Sequence, residues 1–139
     1  MSDEKAIERL AMTALDTARA MLDEYGLVIP FGIRVFHDSE DVKMNCPADQ
    51  HRDADWQEQI DMVAEELRGF IASEQVLATA LVTSLQAGEE MGIGLQVETG
   101  LSAALFIYPY AKEDGKWAIE QEPVQNEPML ARVFNAADE

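Results

Sequence analysis

His37, Cys46 and His51 lie in one short stretch, with Asp38 and Asp49 among them. Imidazole, thiolate and carboxylate are the groups that bind zinc, and a thiol beside an imidazole is also a nucleophile and its base. The spacing supports neither chemistry. Zinc sites built from one segment set their ligands in closely spaced pairs, and these residues match no such pattern. They read as two loop histidines and a strand-end thiol, since a buried, inert cysteine is the commoner kind. The sequence assigns no metal ligand, no cofactor site and no catalytic residue.

Carboxylates are so numerous that pairing them for acid–base work carries no information. A catalytic pair needs surroundings that push its two pKa values apart, and most of these acids fall on solvated positions. Glu89-Glu90 is the pair closest to flexible backbone, in a stretch from Gly88 to Gly92 that reads as a solvated loop. Gly92-Ile93-Gly94 is not a phosphate loop, because it leads into a strand and no Lys-Ser/Thr step follows.

Two other groups point to binding. Phe106, Tyr108 and Tyr110 fall on one face of a strand whose other face holds Leu105, Ile107 and Pro109. Both faces are apolar, so both need cover: helices on one, and on the other the C-terminal segment, a second subunit or a ligand. The aromatic trio is therefore a candidate pocket or dimer face. The second group is Asp55, Glu58, Asp61 and Glu65 with Met62 among them, on the outward arc of a helix. This is a candidate contact for a basic partner, with Met62 as its apolar anchor.

Net charge supports the second idea in a general way. Acidic residues number 27 and basic residues 10, for a net of −17. Nucleic-acid binding depends on Lys and Arg displacing phosphate counterions, and an anionic bilayer attracts basic segments. Neither polyanion is an expected partner. Seven acids against one arginine fall between Asp53 and Glu74, a net of −6 in that segment. Solubility alone also accounts for such acidity.

Positioning these groups requires an ordinary core. The 139 residues, 47% hydrophobic, suit a single domain spanning 1–139. One cysteine makes no internal disulfide. The acids of MSDEKAIERL break any secretory leader, and no run reaches the length of a membrane span, so the expected compartment is the cytoplasm.

Ile7, Leu10, Ala11, Ala14, Ala18, Met21, Leu22 and Tyr25 recur at helical steps, started by Ser2 or Asp3 and stopped by Gly26 and Pro30. Gly32–Phe36 and Val42–Cys46 form a hairpin around a polar turn. A second helix runs from about Asp53 to Ser73, with Asp55 and Glu58 at capping-box spacing. Trp56, Ile60, Val63, Leu67, Phe70 and Ile71 fall on one arc of about 100°. Strands follow at Val76–Leu85, Ile93–Glu98, Ser102–Tyr110 and Lys116–Glu122, with Asp114-Gly115 a hairpin turn. Pro128–Phe134 suits a short C-terminal docking helix or tail. The order α-β-β-α-β-β-β-β, joined by short connections, predicts an α+β fold. Its sheet is mainly antiparallel, of about six strands, with both amphipathic helices on one face.

Leu22-Asp23-Glu24-Tyr25-Gly26, Pro30-Phe31-Gly32 and Ile107-Tyr108-Pro109-Tyr110 together resemble a pattern in small uncharacterised bacterial α+β proteins. The resemblance spans most of the chain and implies structural roles: cap, break, turn and packing. It implies no activity. In size and acidity the chain is also similar to immunity proteins and to acidic secretion chaperones. The expectation is a non-enzymatic protein that binds a basic partner. The alternatives are a small-molecule binder or enzyme using Phe106, Tyr108, Tyr110 and His37, and a structural homodimer.

Overall fold

The computed structural model describes residues 3–37, 41–47, 53–87, 89–127 and 133–134. Its elements are α1 (Asp3–Tyr25), β1 (Phe31–Phe36), β2 (Val42–Asn45), α2 (Trp56–Ser73), β3 (Val76–Ala87), β4 (Glu90–Thr99), β5 (Ala103–Glu113), β6 (Lys116–Ile119) and β7 (Val124–Asn126). One seven-stranded sheet runs β2-β1-β3-β4-β5-β6, with β7 also on β5. Every pairing is antiparallel. The fold class is α+β, as the element order predicts.

Local chemistry accounts for the breaks. Gly26 adopts φ +76° after the last turn of α1, and its N–H donates to the Leu22 carbonyl at 2.9 Å, so a left-handed cap closes the helix. Asp55 caps α2 by accepting the Glu58 N–H at 2.8 Å. Asp114 and Gly115 both have positive φ, 51° and 79°. A two-residue hairpin loop whose twist matches its strands needs that geometry.

Several strand boundaries differ from expectation, with β5 running on to Glu113 and β6 stopping at Ile119. The segment before Gly92 is not an open loop, for β4 begins at Glu90 and carries both Gly92 and Gly94. A Cβ on Gly92 would stand 2.5 Å from Ile107 Cγ2, and one on Gly94 would stand 2.5 Å from Leu85 Cδ1. Neighbouring side chains lie across these glycines and fill the face. Nor does the sheet end with the strand expected at Lys116–Glu122: Pro123 sits in a short break, after which β7 resumes pairing, with Ile107 opposite Val124. β6 and β7 thus share one edge of β5. The expected helix or tail at Pro128–Phe134 lies outside the described residues except for Val133 and Phe134, which form a bend.

The main correction concerns the helices, which pack on opposite faces rather than on one. Phe31, Ile33 and Val35 of β1, with Ala78, Ala80 and Val82 of β3, join the core built on Leu10, Ala14, Ala18 and Leu22 of α1. The intervening positions face α2. Leu81 joins a separate core with Ile60, Val63, Ala64 and Leu67. Successive strand residues point to opposite sides, so the two cores are two layers. The reason is that β1 and β3 bury both of their faces, and no single helical layer covers two.

Close approach of α2 depends on Gly32. A Cβ there would lie 2.6 Å from Asn45 Oδ1, 3.0 Å from Val63 Cγ1 and 3.1 Å from Leu67 Cδ1. At the other end of α2, Arg34 is 6% exposed. Its guanidinium carbon lies 3.6 Å from the centre of the Phe70 ring, and its Nε donates to Glu74 Oε1 at 2.8 Å. Burial of an arginine requires such a partner, and here stacking and hydrogen bonding are combined.

Two outcomes follow for stability. Gly32→Ala is expected to destabilise the protein by about 1–3 kcal/mol in urea unfolding, since it overpacks the helix contact; an unchanged midpoint would contradict that contact. Glu74 is held below the usual carboxylate range, chiefly by the Arg34 hydrogen bond; burial opposes this, and the charges of Arg34 and Lys43 add smaller lowering effects. The unfolded chain therefore takes up this proton first as pH falls. The pair's stabilisation is present above the unfolded pKa and disappears as pH drops through the folded value. Thermal unfolding of Glu74→Gln across roughly pH 3 to 5 should show a shallower acid decline than the parent protein.

Candidate functional site

At the Glu90 end of β4, strands β4, β5 and β6 extend past the end of α1. Met91 pairs with Tyr110, Tyr110 with Ile119, and Lys112 with Trp117. Strand alternation puts all of these on the α1 side of the sheet. Because α1 stops at Tyr25, it covers this shelf only in part: Tyr110 is buried in the α1 core, whereas Trp117 is half-buried and Lys112 exposed. The result is a cleft of about 680 Å³ bounded by Gly26, Glu89–Met91, Pro109–Glu113 and Trp117–Glu120. Its size falls within the range of ligand-binding clefts.

The cleft floor is held from beneath. Tyr110 and Trp117 meet edge to face, with ring centres 5.6 Å apart and planes at 74°, a favourable aromatic geometry. The Tyr110 hydroxyl lies 3.0 Å from the Ser84 hydroxyl, which accepts the Val28 N–H at 2.9 Å. The Ser84 N–H in turn donates to the Val28 carbonyl at 3.2 Å. One serine thus fixes both Tyr110 and the chain that follows α1 along the cleft wall. Lys112 places its ammonium 5.4 Å from the Trp117 ring centre. Glu89, Glu90, Glu113 and Glu120 are exposed around the opening.

The aromatic trio stays on the α1 side: Tyr110 is buried in the α1 core and also borders the cleft, and Phe106 and Tyr108 pack against the same core. Tyr108 is half-buried near Met12, Leu15 and Arg19, and burial raises its hydroxyl pKa above the ordinary value. Helix α1 therefore supplies the cover for that face. On the other face Val133 is buried beside Leu81, and its N–H donates to both Glu98 carboxylate oxygens at 3.0 and 2.9 Å. The C-terminal segment thus supplies part of the second cover.

The acidic group stays on the outer side of α2. Glu58, Asp61 and Glu65 are exposed. Met62 is half-buried in a depression of about 280 Å³ that it shares with Pro47, Glu65 and Glu66. Asp55 is occupied as the helix cap.

His37 and Cys46 do not meet. Val35 pairs with Val42 and Gly32 with Asn45, so His37 lies beyond the turn end of the hairpin and Cys46 beyond its open end. The thiol approaches the Pro30 carbonyl at 3.6 Å. His51, Asp38 and Asp49 lie outside the described residues. No group of three or more His, Cys, Asp or Glu among the described residues is placed to hold a metal ion, and no helix among them is long and apolar enough to cross a membrane.

Sequence reasoning missed Trp117 and Lys112 as site residues. The available signal was their place on either side of the Asp114-Gly115 turn, which sets them opposite one another.

Ser84→Ala should cost about 1–3 kcal/mol, because it strands a buried N–H as well as losing the Tyr110 bond. Tyr110→Phe should cost about 1 kcal/mol. The double variant should cost less than the two combined, since they share one bond. Additive losses in urea unfolding would mean that the hydroxyls act separately.

Comparisons with protein-family models, with curated proteins and with solved structures find no match to this chain.

Proposed function

We propose that this is a non-enzymatic binding protein whose partner is a basic protein, met through the outer face of α2. The observation that carries this reading is the set of exposed carboxylates Glu58, Asp61 and Glu65 on successive turns. No ion pair among the described residues neutralises them. Like charges at these helical spacings oppose the helix by about 0.2–0.5 kcal/mol per pair. A basic surface laid against them would relieve that repulsion and speed encounter.

The apolar part of the contact is Met62. Its flexible thioether adapts to varied surfaces, and the depression it shares with Pro47 gives a partner side chain somewhere to seat. The helix beneath is well anchored, by the Asp55 cap at one end and by the Arg34–Phe70–Glu74 group at the other. A rigid face reduces the entropy lost on binding.

A photo-crosslinking amino acid at position 62, in cells, tests the reading. Leu101 is 99% exposed and far along the chain, and so serves as the control position. Position 62 should yield an adduct with one basic protein, and the charge reversal E58K/D61K/E65K should abolish it. Equal adducts from position 101, or adducts that survive the reversal, would overturn the assignment.

A further inference from the structure

We propose that the segment carrying Val133 and Phe134 is a strap that lifts from the α2-side face of β4 while the rest of the protein stays folded. Three observations lead to it. First, its hydrogen bonds run to one side chain. The Glu98 carboxylate accepts the Val133 N–H at 3.0 and 2.9 Å and the Phe134 N–H at 3.4 Å. Val133 and Phe134 form a bend and add no strand to the sheet. A bond to a side chain is lost by rotation about that side chain's own torsions, with every strand left in place.

Second, the seat under the strap is polar. Glu98 is 1% exposed and its neighbour on the same face, Gln96, is 0% exposed. The Gln96 amide donates to Glu98 Oε2 at 3.3 Å. Keeping a carboxylate from water costs free energy even where it is hydrogen-bonded. Lifting the strap returns water to Glu98 and relieves part of that cost. Opening an apolar seat brings no such relief.

Third, the apolar hold is small. Among the described residues of this segment, Val133 alone is buried, beside Leu81 and the underside of α2, and Phe134 is half-buried. Helix α2 sends Ile60, Val63, Ala64 and Leu67 into the same core and is fixed at its start by Asp55. Parts of a fold with few buried apolar contacts open before the parts with many. The strap is thus the first piece of the second layer to leave. The open form uncovers Glu98 and Gln96 on the sheet, and a molecule that binds the freed segment holds that face open by shifting the population.

Thiol labelling of the full chain under native conditions tests this. In a Cys46→Ser background, Val133→Cys reports on the strap and Val82→Cys on the α1 core. Both replace a buried valine by a small apolar residue. Position 133 should react with a thiol reagent at least about tenfold faster than position 82. Its rate should stay nearly flat through low urea concentrations, because a local opening exposes little surface. Ile33→Val, in the α1 core across the sheet, should speed reaction at 82 by about threefold to tenfold and leave 133 unchanged. Glu98→Gln should speed reaction at 133 by about threefold to tenfold. Equal rates and equal urea dependence at the two positions would overturn the proposal, as would acceleration of both by Ile33→Val. No acceleration at 133 in Glu98→Gln would overturn the role given to the carboxylate. Amide exchange at Phe134 and Val82 in the unsubstituted chain makes the same comparison if Val133→Cys does not fold, with matching rates again the overturning result.

Discussion

Strand β3 is buried without interruption from Val76 to Ser84, and the rest of the architecture answers to that constraint. A strand hidden on both faces needs a layer on each side. Helix α1 supplies one and α2 the other, and the two cores meet only through the sheet. Apolar burial is the main stabilising contribution on both sides, at about 25 cal/mol per Å². Three of the polar groups drawn inside with it have definite partners: Arg34 against Phe70, Ser84 beneath Tyr110, Glu98 beneath Val133.

Much of this was legible in the residues. The three-and-four spacing from Ile7 to Tyr25 defines a helix because one face must meet a sheet, and Gly26 ends it because the chain turns left-handed there. Asp55 and Glu58 announce the start of α2 through a bond that only a short side chain at that position makes. What stayed hidden were relations between elements. Ala, Thr and Leu on both sides of β3 signal double burial, yet they do not say which helix takes which side. Gly92 reads as a turn until Ile107 is placed over it. Val124 lies beyond the last expected strand until β5 is placed beside it.

The candidate surfaces follow the same division. The acidic residues proposed for binding were readable on α2, because a helix displays its outer arc in its own sequence period. The cleft was only half readable. Tyr110 stands out by its aromatic neighbours, but the cleft exists because α1 stops short of the strand ends, and the relative lengths of packed elements are set in three dimensions. Apart from the buried Arg34 and Glu98, charge is kept mostly to the periphery. The spans from Val76 to Ser84 and from Ser102 to Tyr110 carry none, so acidity and core stability do not conflict.

The grip of Glu98 on Val133 has a consequence for the order in which the chain is made. The carboxylate is synthesised 35 residues before the Val133 N–H that donates to it. While the ribosome still holds the later segment, this strand contains an acid without that donor, in a place that will become interior. A carboxylate in that position keeps water at the face of β4. The patch of the second layer that Val133 covers is therefore completed only once that residue has been made, whereas the α2 part of the layer, packed on β1 and β3, does not wait for it.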